Sequence, residues 1–70
     1  MTTEYFDKRH GGPWDRGSAD SYYMRPYKPH KYVAGTMTSE RIEDLSPHDL
    51  AAYAAGWEHN ERLGDFKDYG

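Results

Sequence analysis

Four histidines, His10, His30, His48 and His59, carry the widest chemical repertoire in this 70-residue chain, so a metal centre is the first reading to weigh. His48 and His59 are eleven residues apart. On one helix that spacing gives similar azimuths but about 16 Å of axial separation at 1.5 Å per residue, too far to share an ion. His10 and His30 stand in loop-like sequence where Asp15 or Asp20 could approach them, yet no HxxxH or HExxH pair accompanies them and cysteine is absent. The ligand spacing of a metal site is missing, and solvated or capping histidines are the expectation. Covalent catalysis fares no better. Ser18 and Ser21 flank Asp20 on one short segment, without the separate base and orienting group that an activated nucleophile requires. Gly11-Gly12 is followed by Pro13, which removes an N–H that a phosphate-cradling loop would need. The sequence implies no catalytic residue, no metal, no cofactor and no small-molecule substrate.

Binding is better represented. Between Tyr22 and Tyr32, Arg25, Lys28, His30 and Lys31 alternate with tyrosines, including Tyr27, and no acidic residue interrupts them. Such a composition suits phosphates and stacked bases, or an acidic protein patch. It suits better tyrosines that are core, with cations extending from its edge into water, since the chain has few other core residues. Glu58, Glu61 and Asp65 form an acidic counterpart near the C-terminus that could meet a basic partner, or be an ordinary solvated face with Glu58 and Arg62 as an i, i+4 pair. The candidate partner-binding residues are Arg25, Tyr27, Lys28, His30, Lys31, Tyr32, Glu58 and Glu61.

The element best able to position these groups runs from Ser46 to Gly64. Ser46 is an N-cap, Pro47 takes the first helical position, Asp49 completes an acidic capping box, and Gly64 supplies a left-handed stop. A helix over about 47–63 is expected. Leu45 and Leu50 stand where a hydrophobic staple would sit, and Leu50, Tyr53, Ala54 and Trp57 form an apolar stripe. Ala52, Ala55 and Gly56 make an adjacent face nearly without side chains. Glycine in mid-helix costs roughly 1 kcal/mol against alanine, so Gly56 marks a close approach of another backbone.

A shorter helix is expected over about 15–24, capped by Asp15 and ended before Pro26. It should lie against the small face around Gly56. Residues 24–32 hold Pro26 and Pro29 and read as an extended, polyproline-like connector. Val33 to Thr38 has the composition of a brief strand, and Ser39 to Leu45 suits either one helical turn or extended chain. The fold class is mainly α, in one small domain over 1–70, with 1–12 and 65–70 loosely ordered and Tyr5, Phe6 and Phe66 as apolar handles. Trp14, Ala19, Tyr22, Tyr23, Leu45, Leu50, Tyr53, Ala54 and Trp57 are the expected core.

Composition agrees with a small aromatic core. Leu, Ile, Val and Phe together number seven, whereas eleven residues are aromatic. A buried aromatic removes about 150–250 Å² from water, so a few can replace an aliphatic core. The net charge of −3 is split: residues 1–37 carry six Lys/Arg and four Asp/Glu, residues 38–70 three and eight. No disulfide framework, secretory leader or membrane-length apolar run is present in the sequence, and a cytoplasmic location is expected.

Two resemblances add to this reading. The words His10-Gly-Gly-Pro-Trp-Asp-Arg-Gly-Ser-Ala-Asp-Ser-Tyr-Tyr23, Arg25-Pro26, Pro29-His30, Tyr53-Ala-Ala-Gly-Trp-Glu-His-Asn-Glu61 and Gly64-Asp-Phe-Lys-Asp-Tyr-Gly70 resemble a family of small, uncharacterised tailed-bacteriophage proteins. The resemblance implies a non-enzymatic binder of a host or defence protein, acting as a modulator or inhibitor in the host bacterial cytoplasm. Arg16-Gly17, Ala19, Arg25-Pro26 and Tyr53-Ala-Ala-Gly-Trp57 are also similar to the two-helix pattern of ribosome modulation factor. That implies two helices in contact at Gly17 and Gly56, and an alternative function in binding ribosomes or RNA. Ribosome modulation factor is strongly basic, whereas this chain carries −3.

Overall fold

A computed structural model describes Phe6 and residues 8–32 and 40–68. The expected strand over Val33 to Thr38 and the handle at Tyr5 lie outside the described residues. The architecture is two helices joined by an extended connector and a two-stranded ribbon: α1, Pro13–Tyr22; β1, Lys31–Tyr32; β2, Arg41–Ile42; and α2, Pro47–Leu63. The strands are antiparallel, with Lys31 opposite Ile42 and Tyr32 opposite Arg41. Of the two conformations open to residues 39–45, the extended one is observed at Arg41–Ile42.

α2 has the expected bounds for the expected reasons. Ser46 Oγ accepts from the Asp49 N–H at 3.1 Å, and Pro47 opens the helix. Gly64 closes it at φ 68°, donating to the Asn60 carbonyl.

α1 starts and stops two residues before the expected bounds. Pro13, with φ already fixed by its ring, takes the first turn, and Gly12 is the N-cap. Asp15 lies inside the first turn instead of capping it, and its Oδ2 accepts from the Gly11 N–H at 2.9 Å. At the other end the left-handed position falls on Met24, at φ 58°. The Met24 N–H then reaches the Ser21 carbonyl and the Arg25 N–H the Asp20 carbonyl. Two orphan carbonyls are satisfied in this way, with methionine where glycine is the usual choice.

The helices cross at glycine, as the sequence suggested. A Cβ at Gly17 would lie 2.0 Å from the Tyr53 carbonyl oxygen, and one at Gly56 would lie 2.0 Å from the Trp14 carbonyl oxygen. Each backbone therefore occupies the space where the other's side chain would be. This crossing selects the buried face of α2. Ala52, Tyr53, Gly56 and Asn60 face inward, whereas Leu50 is 43% exposed. Leu50, which heads the expected stripe, thus lies at the surface, and so does Tyr23, also expected in the core, beyond the end of α1. Trp14, Ala19, Tyr22, Leu45, Ala54 and Trp57 are half-buried.

Apart from Tyr32, Ala52 and Tyr53, the deepest side chains are polar: Arg16, Asp20, Ser21, His30 and Asn60. Near one end of the helix pair, Asn60 Nδ2 donates to Ser21 Oγ at 3.0 Å and to the Asp65 carbonyl at 2.9 Å. Ser21 in turn donates to Glu61 Oε2 at 2.7 Å. The Lys67 N–H donates to the Tyr22 carbonyl, so residues 65–68 are tied to the helix pair by one hydrogen bond to each helix. At the other terminus Gly11 and Gly12 are buried, and the Gly11 carbonyl accepts from the Tyr32 N–H at 2.7 Å.

Candidate interaction surface

The connector between α1 and β1 is fixed from below by Tyr53, whose side chain is 0% exposed. The Tyr53 hydroxyl donates to Asp20 on α1 and accepts from the Lys28 N–H at 3.3 Å. Burial, followed by the bond to Asp20, raises the pKa of this phenol well above its ordinary value, and it stays protonated as the donor.

His30 supplies the second fastening. Its Nδ1–H donates to the Lys28 carbonyl at 2.8 Å, and its Nε2 accepts from Arg16 Nε at 3.1 Å. Those two bonds define a neutral imidazole with the proton on Nδ1. The ring is 1% exposed, and desolvation lowers its pKa despite the Lys28 carbonyl and the Asp20 carboxylate, 3.7 Å away, which favour the charged form. Arg16 and Arg41 act in the same direction as burial. Asp20 also faces Arg16 at 3.6 Å and Arg25 at 3.7 Å, so one buried carboxylate holds together α1, α2 and the connector.

With its backbone held, the connector turns selected side chains outward. Tyr27 is 49% exposed, yet its ring centroid is 5.1 Å from those of both Tyr53 and Trp57, edge-on to each. Arg25 lies over the Tyr23 ring at 4.8 Å, half its side chain in solvent, and Lys28 is exposed. These three residues lie within residues 25–28, on a braced backbone.

The other residues singled out from the sequence lie elsewhere. His30 and Tyr32 are buried and belong to the packing: their rings meet edge-on at 5.6 Å, and Arg16 lies 5.7 Å from the Tyr32 ring centre. Their side chains are therefore withdrawn from the proposed contact surface, because the connector passes over the α1–α2 crossing and a ring on its inner side fills the space beneath. Lys31 is half-buried and bonded to Asp49 at 2.6 Å. Glu58 is exposed and faces Arg62 at 3.6 Å, and Glu61 is engaged by Ser21. The sequence marked Asp20 only as a carboxylate that could approach His10 or His30, not as the organising group.

No group of three His, Asp or Glu side chains arranged to hold a metal occurs among the described residues. No helix among them is long and apolar enough to cross a membrane. Comparison with protein-family models, curated proteins and solved structures finds no match to this chain.

Proposed function

We propose that this chain is a small non-enzymatic accessory protein, of the bacteriophage type its sequence resembles, that binds and modulates a host or defence protein in the bacterial cytoplasm. The observation that carries this reading is Tyr27, half in solvent but braced by Tyr53 and Trp57, with Arg25 and Lys28 beside it. Tyrosine, tryptophan and arginine are the residues on which interface energy concentrates. A backbone fixed beforehand also binds with less ordering cost than a flexible loop. The two cations favour an acidic patch on the partner and would speed the encounter.

Affinity capture from bacterial lysate with the tagged protein, with and without nuclease, tests the reading. Recovery of one protein regardless of nuclease, lost when Tyr27 is changed to Ala, supports it. Nuclease-sensitive recovery of ribosomal subunits supports instead the RNA-binding alternative, for which the same aromatic and cationic surface is the favouring observation.

A further inference from the structure

A groove of about 740 Å³ lies along the outer side of α1. Arg16 and Ala19 of α1 line it together with Tyr23, Arg25 from the start of the connector, and Tyr32 and Arg41 from the ribbon. His10 and Asp15 complete its rim. Three guanidinium groups from separate elements thus line one concavity that holds a single carboxylate, Asp15, whose Oδ2 is engaged by the Gly11 N–H.

Each arginine is oriented by the protein. Arg16 uses Nε on His30 and faces Asp20 with Nη2; Arg25 is laid over Tyr23 and shares Asp20; Arg41 uses Nε on Glu43 at 2.8 Å and also hydrogen-bonds the Tyr32 side chain. A guanidinium has five N–H donors in a planar fork, and the polar contacts just named use at most two of them in each arginine. Asp20 and Glu43 therefore act as orienting groups outside the lining, and further donors remain for a ligand.

We propose that this groove binds the phosphate of a nucleotide, with the base against its aromatic wall. One arginine fork satisfies a carboxylate, whereas three suit the several oxygens of a phosphate dianion. The volume falls within the roughly 300–1,000 Å³ of small-molecule clefts, which leaves room for an organic group beyond the phosphate. The exposed Tyr23 ring, one face of it covered by Arg25, and Ala19 supply the apolar and π surface on which a base packs, whereas Tyr32 is buried and only closes the groove. This site goes beyond the partner surface: the two share Arg25, but Arg41 belongs to the groove alone, so each can fail without the other.

Titration calorimetry and amide NMR on the full chain test the proposal, with adenosine 5′-monophosphate, adenosine, inorganic phosphate, a 5′-phosphorylated oligonucleotide and a phosphotyrosine peptide as probes. The monophosphate should bind saturably, adenosine should not, and inorganic phosphate should bind at least tenfold more weakly. Arg41→Gln should weaken the monophosphate at least tenfold without changing capture of a protein partner, and Arg41→Lys, which keeps the charge but loses the fork, should fall between. Amide shifts in the unaltered chain should cluster at residues 10–25 and 41, an observation independent of how the variants fold. Tighter binding of the phosphorylated oligonucleotide supports the site and assigns its nucleotide to a nucleic-acid end, whereas equal binding assigns it to the free pool. Equal binding of adenosine and its monophosphate, shifts confined to another face, or preference for the phosphopeptide would overturn it.

Discussion

Gly17 meets the carbonyl oxygen of Tyr53 so closely that a methyl group on its Cα would lie 2.0 Å from that oxygen, and Gly56 stands in the same relation to Trp14. Helix propensity and packing therefore predict opposite signs for one substitution. Alanine in a helix interior is favoured over glycine by about 1 kcal/mol. At this crossing the added methyl meets backbone, which cannot rotate away. Gly17→Ala and Gly56→Ala should each destabilise by about 1–3 kcal/mol, and Gly56→Leu by at least as much. Urea denaturation decides the matter: a raised midpoint for either alanine variant would place the helix contact elsewhere.

Tyr53→Phe tests the buried polar centre. The substitution removes only an oxygen, but Asp20 loses its hydroxyl donor, keeping the longer contacts to Arg16 and Arg25, and the Lys28 N–H loses its acceptor. A buried group left without its partner costs about 1–3 kcal/mol. The loss should appear both in the denaturation midpoint and as faster amide exchange at Lys28, local to the connector. Unchanged exchange there would mean that Tyr53 does not hold it.

The crossing was legible in the sequence, and the centre beside it was not. Ser46-Pro47 and Gly64 carry their conformations in their own covalent structure, so the limits of α2 needed no tertiary information. Gly56 was informative because glycine has no local reason to occupy a helix interior. Asp20, Arg16 and His30 carry no such mark, since a charged residue in sequence looks the same whether solvated or buried with a partner. Leu50 was misread as core for a related reason: hydrophobic periodicity counts every large apolar residue on a stripe, whereas the close crossing at Gly17 and Gly56 draws in the small-residue face and Tyr53. On the candidate surface, alternation of cations and tyrosines marked the segment in which Arg25, Tyr27 and Lys28 are exposed. It did not separate Tyr27, which faces outward, from His30 and Tyr32, which face inward, because proline-rich chain has no fixed side-chain period against a helix pair.

His30 gives stability a defined pH dependence. Its pKa is lowered below 6.5 in the folded chain and returns to about 6.5 on unfolding. Between those values the unfolded state binds a proton that the folded state refuses, so stability rises with pH. The contribution is fully present above about pH 7.5 and is lost as pH falls through 6.5 toward the folded value, at no more than about 1.4 kcal/mol per pH unit. Comparing urea midpoints at pH 7.5 and 5.5 for the native chain and His30→Gln isolates the effect. The variant should have the shallower dependence, and identical slopes would remove His30 as the cause.

Met24 is 58% exposed and holds a left-handed conformation that costs an L-residue roughly 1–2 kcal/mol. Met24→Gly relieves that cost, partly offset by about 0.5–1 kcal/mol of chain entropy. A gain of up to about 1 kcal/mol in thermal or urea denaturation is expected. A clear loss would show that the methionine side chain contributes packing greater than its exposure suggests.

The account rests most heavily on the braced connector as a binding surface, and one comparison addresses it directly. Capture from nuclease-treated lysate should be quantified for the native chain and for a variant carrying Arg25→Ser, Tyr27→Ala and Lys28→Ser, with circular dichroism verifying that both are folded. None of the three side chains is buried, and exposed charges contribute only about 0–1 kcal/mol each to stability, so the fold should persist. The account predicts that the protein partner recovered by the native chain is lost from the folded variant. Recovery of the same partner in the same amount by the folded variant would contradict it.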